Sequence, residues 1–206
     1  MNDVYENPKS DLEPEDVYRP PESELTTGLE SEEKSRAFYV VSKKKMTVLF
    51  LMTVGLYGIY WFYAHWKRYK VATDGKIWPV PRGIFSIFFA HSLFSNIDDE
   101  LHANKQEFDW SPSTLATLYV VIALVGAVFE RMAQMEMGSP WIDILSLGTI
   151  LPVLFILQKS QAAANLSQGD LHGDSNSDFS GANIVWMILG ALFWVLIFLG
   201  IASYFL

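Results

Sequence analysis

Residues 184–206 read IVWMILGALFWVLIFLGIASYFL, 23 positions without a charged side chain. At about 1.5 Å per helical residue, this stretch can cross a hydrocarbon core roughly 30 Å thick. Trp186 and Trp194 suit an embedded helix with one interfacial anchor. Two more apolar stretches precede it. Residues 113–129 end at Glu130-Arg131, and residues 141–157 carry Asp143 near one end and Pro152 inside, where a kink is expected. Gly138-Ser139-Pro140 makes the turn between them. The stretch thus predicts an all-α integral membrane bundle, and the segments before it decide how many helices are embedded.

Residues 46–66 are apolar and long enough to span, yet Lys43, Lys44 and Lys45 precede them and Lys67, Arg68 and Lys70 follow. Basic residues near a span mark its cytoplasmic side. Here five fall on each side (Lys34, Arg36 and the Lys triad; then Lys67, Arg68, Lys70, Lys76 and Arg82), so the rule returns a tie. The second half is crowded with Tyr57, Tyr60, Trp61, Phe62, Tyr63 and Trp66, rings that favour the headgroup level. Two arrangements follow. A span, the favoured one, leaves half the bases on the wrong face. A segment that bends at Gly55 to Gly58 and returns keeps all ten together, but bent backbone at membrane depth must be buried against protein. Residues 83–97 are short for a span and hold Ser86, His91, Ser92, Ser95 and Asn96; the helix should run on to about Lys105. Four to five membrane-embedded helices are expected. The lipid bilayer is therefore the first partner, and the ten early bases place the N-terminus in the cytoplasm.

The formal net charge of −8 belongs almost wholly to one end. Residues 1–36 hold eleven acids and four bases, whereas residues 37–206 are close to neutral. This excludes a basic nucleic-acid binder. With no cysteine in the chain, disulfides, thiolate metal sites and a Cys nucleophile are excluded too. A domain division at 36/37 follows: an acidic tail rich in Pro, Glu and Ser, expected to be disordered because it has too little apolar surface to offset chain entropy, and a membrane domain.

The tail repeats itself at an offset of thirteen residues. Positions 3–12 (DVYENPKSDL) align with positions 16–25 (DVYRPPESEL), giving the pattern D-V-Y-x-x-P-x-S-[DE]-L. Composition bias supplies acids, Ser and Pro more readily than it places Val4, Tyr5, Pro8 and Leu12 in step with Val17, Tyr18, Pro21 and Leu25. One reading is a docking peptide present twice, with apolar anchors on a Pro-stiffened extended chain and a raised effective concentration for the second copy. The other is a duplicated spacer.

Candidate chemistry is sparse. His91, Ser95, Asp98 and His102 fall on one stripe of a helix and could relay protons or line a polar path together with Asp143. One metal cannot bridge the two histidines, which lie roughly 16 Å apart along the axis. Residues 159–182 are expected to form a solvated loop. Its Asp174, Asn176 and Asp178 alternate like a calcium loop, but the sixth and twelfth positions are Phe179 and Val185 where Gly and Glu are needed. Asn165-Leu166-Ser167 fits a glycosylation sequon. There is no phosphate loop, nucleophile elbow or zinc-protease motif, so neither cofactor nor enzymatic activity is expected.

Thr53-Val54-Gly55-Leu56-Tyr57-Gly58-Ile59-Tyr60-Trp61, followed by bases, fits T-x-G-[LI]-Y-x-x-Y-W. It resembles the motif of uncharacterised bacterial multi-pass membrane proteins grouped as domains of unknown function. The tail piece from Val17 to Leu25 is similar to the N-P-Y-x-P-P tail of many such proteins, although Asp16-Val17 replaces the Asn-Pro, and the first copy carries Asn7-Pro8 after Tyr5. The resemblance covers the tail and roughly residues 38–110. It implies a bacterial inner-membrane location and no particular activity. The expected role is a non-enzymatic scaffold or accessory subunit that recruits a protein partner through the tail. The alternative is a small transporter or channel using the polar stripe.

Overall fold

A computed structural model describes residues 36–206, and the duplicated tail lies outside the described residues. Those residues are helical without strands. The helices are α1 (Lys43–Met52), α2 (Tyr57–Thr73), α3 (Pro79–Ile84), α4 (Ser86–Ala103), α5 (Pro112–Gln134), α6 (Trp141–Gly148), α7 (Ile150–Ser167) and α8 (Gly181–Ala202).

Three units are long and apolar enough to cross a membrane: α5, the α6–α7 pair over Trp141–Ser167, and α8. Their outer faces are bare. Leu124, Val128, Leu151, Phe155, Leu192 and Leu196 are all more than half exposed. An apolar surface of this extent is stable only against lipid or another apolar partner. The α6–α7 break falls at Thr149. Pro152 lacks the N–H that would bond to Gly148 four residues back, and its ring crowds that carbonyl, which ends α6 there.

The expected span over residues 46–66 is not one helix. α1 stops at Met52, the chain turns through residues 53–56, and α2 comes back. Two sets of contacts fix the reversal. Going out, Lys45 sits at Asn176 and Asp178 just before α8, and the Leu51 carbonyl accepts from Trp194 Nε1 at 2.8 Å, so α1 ends beside the middle of α8. Coming back, Tyr57, Tyr60, His65 and Tyr69 of α2 pass Tyr39 and Phe38, which precede α1. Ten residues of α1 rise about 15 Å, half of a roughly 30 Å core.

Two other boundaries differ from expectation. The expected helix from residue 83 is split at Phe85 into α3 and α4 and ends at Ala103. The expected loop over residues 159–182 begins as helix, because α7 continues to Ser167. The polar side chains that made this turn read as loop, Gln161 and Asn165, are instead 2% and 3% exposed in the interior.

The core lies in the half of the bundle that holds the α1–α2 turn. Phe38, Met46, Leu49, Trp61, Phe62, Trp66, Phe94, Ile97 and Leu157 are almost fully buried there. Phe62 stacks on Phe94, and Arg82 lies 4.2 Å from the Trp66 ring centre. Gly83 is required where α3 crosses α2, since a Cβ would come within 3.0 Å of the Ile59 carbonyl oxygen and Tyr63 Cβ.

Candidate functional site

The T-x-G-L-Y-x-x-Y-W stretch is the turn between α1 and α2. Thr53 Oγ1 donates to the Leu49 carbonyl at 2.7 Å and accepts from the Tyr57 amide at 2.9 Å. One hydroxyl thereby closes the last turn of α1 and opens the first turn of α2, groups that a helix end otherwise leaves orphaned. Gly55 has φ +86° and its amide reaches the Phe50 carbonyl at 2.8 Å. The preceding Val54 also has positive φ, +53°, which costs a β-branched residue about 1–2 kcal/mol. Trp61 Nε1 donates to Gln161 Oε1, tying the returning helix to α7.

The segment that leads into α1 is held by side-chain amides. Residues 36–42 are irregular, with a bend at residues 37 and 38, and have no strand beside them. Gln168 Oε1 accepts from the Phe38 amide, and Gln161 Nε2 donates to the Tyr39 carbonyl at 2.9 Å. Asn176 Nδ2 donates to the Val40 carbonyl at 2.8 Å. Asn165 does both jobs at Val41, accepting from its N–H at 3.3 Å and donating to its carbonyl at 3.0 Å. Backbone groups buried among apolar side chains must be paired, and here four amide side chains replace a neighbouring strand. This use of Asn165 leaves the apparent sequon closed to modification. At the clamp's outer end, Arg36 bonds Ser175 Oγ and lies 3.8 Å from Asp170. Burial raises the Asp170 carboxyl, but hydrogen bonds from Ser175 and Asp174 and the Arg36 charge outweigh it and leave the group below its usual value.

These contacts gather one end of the bundle. Arg36, Lys43, Lys44, Lys45, Lys70, Lys76 and Lys105 all lie at or beyond helix ends that meet there. At the opposite end, the α5–α6 connection and its flanking turns carry Glu130, Arg131, Glu136 and Asp143.

The expected polar stripe lies on α4, but it faces outward. His91, Ser95 and His102 are exposed and Asp98 is half-buried. His91 Nε2 pairs with Thr117 Oγ1 at 3.1 Å, Asp98 Oδ1 accepts from Trp110 Nε1 at 2.8 Å, and His102 Nδ1 turns back to the Asp98 carbonyl at 2.8 Å. The first two of these bonds tie α4 to α5 and to the turn before it, and the third stays on α4. Asp143 is not with them. It stands in the first turn of α6 at the other end, beside a cleft of ≈ 910 Å³ between α5, α6 and α8. No cluster of three or more metal-ligating side chains occurs among the described residues.

The clamp was missed in the sequence because its amides are spaced as ordinary polar positions. The one available signal was the i, i+4 pair Gln161 and Asn165 set in a run of alanines, which places two amides on one face. No family model, no curated protein and no solved structure matches this chain.

Proposed function

We propose that this chain is a multi-pass protein of the bacterial inner membrane that acts as a non-enzymatic scaffold or accessory subunit, recruiting a protein partner through its duplicated tail. In this reading, α5, α6–α7 and α8 span the bilayer, and α1–α2 enters to mid-depth as a hairpin. The basic end, with residue 36 where the tail begins, lies in the cytoplasm. The hairpin removes the tie in the positive-inside count, since the bases before α1 and after α2 now share one face and Arg131 is opposite.

The observation that carries the proposal is the amide clamp. Burial of residues 38–41 requires their backbone to be paired, and the pairing gives whatever precedes residue 36 a fixed junction with the bundle. Here the last residues before α1 are bonded at Phe38, Tyr39, Val40 and Val41 by α7 and the α7–α8 connection. A load on the tail is therefore delivered to the membrane bundle. The test is chemical crosslinking and partner identification in the full chain and in a form lacking residues 3–25. Loss of a specific protein on deletion supports recruitment, and an unchanged partner list refutes it.

The second reading, a small transporter, draws on the cleft at Asp143 rather than on the exposed α4 stripe. It predicts that removal of residues 1–36 spares function whereas replacement of Asp143 abolishes it.

A further inference from the structure

We propose that the cleft at the end opposite the basic face binds a monovalent organic cation, an amine or quaternary ammonium carried on an apolar body. The cleft holds ≈ 910 Å³, within the range of small-molecule sites, roughly 300–1,000 Å³. It exists because α8 packs on α1 and leaves its last turns apart from α5 and α6.

Its chemistry is divided. Glu130 and Gln134 from the end of α5, Asp143 from the start of α6, and Ser203 and Tyr204 beyond α8 supply the polar groups. Val54, Leu56, Ala123, Ile150 and Ile197 supply an apolar floor, with the tip of the α1–α2 hairpin at its base. No Lys, Arg or His lines it. Arg131, on the same helix as Glu130, is exposed and donates to Gln134 Oε1 at 3.3 Å.

The carboxylates and the helix ends around the cleft both select positive charge. Two carboxylates face the cleft with no fixed counter-charge in its lining. Asp143 Oδ2 is buried without a hydrogen-bond partner, and a buried carboxylate oxygen left so is expensive. The C-terminal ends of α5 and α8 open toward the cleft and the N-terminal end of α6 adjoins it, so the helix ends together leave a net of about half a negative charge there. The apolar floor selects against a bare metal ion, which would leave that surface wetted, and in favour of a cation with an apolar body. An amino-phospholipid and a free amine share this chemistry.

The test uses the full chain in phosphatidylcholine nanodiscs and radiolabelled tetraphenylphosphonium, with tetraphenylborate as the same shape of opposite charge. The expected result is saturable binding of the cation and none of the borate. Asp143→Asn should weaken the cation about tenfold, equivalent to about 1.4 kcal/mol. Gly200→Phe keeps every charge and projects into open space at the cleft wall, so it should fold normally and block binding by filling the site. Competition by discs containing phosphatidylethanolamine identifies the occupant as a lipid amine, and its absence identifies a free amine. Equal uptake of cation and borate, or full cation binding by both variants, overturns the proposal.

Discussion

Gly190 is the point at which the hairpin and the last span touch, and replacing it measures that contact. It is the buried residue of α8, and a Cβ there would lie on the Met52 carbonyl, with the carbonyl carbon 2.6 Å away and the Thr53 nitrogen 3.2 Å away. Ordinary contact begins near 3.4 Å, and the obstacle is backbone, so it cannot rotate aside. In Gly190→Ala, α8 must therefore move off α1 by on the order of 1 Å. That also stretches the 2.8 Å bond from Trp194 Nε1 to the Leu51 carbonyl. Overpacking costs about 1–3 kcal/mol and the lost bond about 1 kcal/mol, while the better helix propensity of Ala returns up to about 1 kcal/mol. The net loss is about 1–3 kcal/mol. For a chain of this size, each 1 kcal/mol moves the melting temperature by about 2–4 °C. Gly200→Ala, on the same helix but in open space, is the control. Both variants gain the propensity of Ala, so thermal unfolding in mild detergent should place Gly190→Ala roughly 4–16 °C below Gly200→Ala. Equal melting temperatures would refute the close approach of α1 and α8.

Other substitutions test the remaining joints. Asn165→Ala strips both partners from Val41 and should cost about 1–3 kcal/mol, read as faster proteolysis between residues 36 and 42. Val54→Gly relieves positive φ at the hairpin turn and should raise stability by about 1 kcal/mol in the same unfolding assay. Asp170→Asn should lower stability near neutral pH. Because the carboxyl is held below its ordinary value, its contribution is present above the unfolded value of 3.8 and is lost as pH falls through the lowered one; the deficit of the variant should therefore vanish in acid.

The three long apolar helices were readable because lipid-facing helices need no pattern beyond length and the absence of charge. The ends were less so. α7 runs ten residues past Leu157 because Gln161 and Asn165 turn inward to bond the 36–42 segment, a partner more than a hundred residues away that no local pattern reveals. The tie in basic residues around residues 46–66 left the favoured span and the reversal open, and α1 and α2 form the reversal. What the sequence lacked was the protein surface that shelters the bent backbone, supplied by α7 and α8. The stripe on α4 has helical spacing as expected, but Leu93, Phe94, Ile97 and Leu101 take the inward face and leave His91, Ser95 and His102 outside. Asp143 was singled out as ionisable near a span. Its neighbours in the cleft come from α5, α8 and the hairpin tip, which meet only in three dimensions.

The central claim is that α1 and α2 enter and leave the membrane on the same face. The chain has no native cysteine, so single cysteines report without background. Lys44→Cys, Lys76→Cys and Glu136→Cys place exposed labels before the hairpin, after it and in the α5–α6 connection. With a membrane-impermeant maleimide on intact cells and on inverted vesicles, positions 44 and 76 should label only from the cytoplasmic side and position 136 only from the outside. Labelling of 44 and 76 from opposite sides would contradict the account.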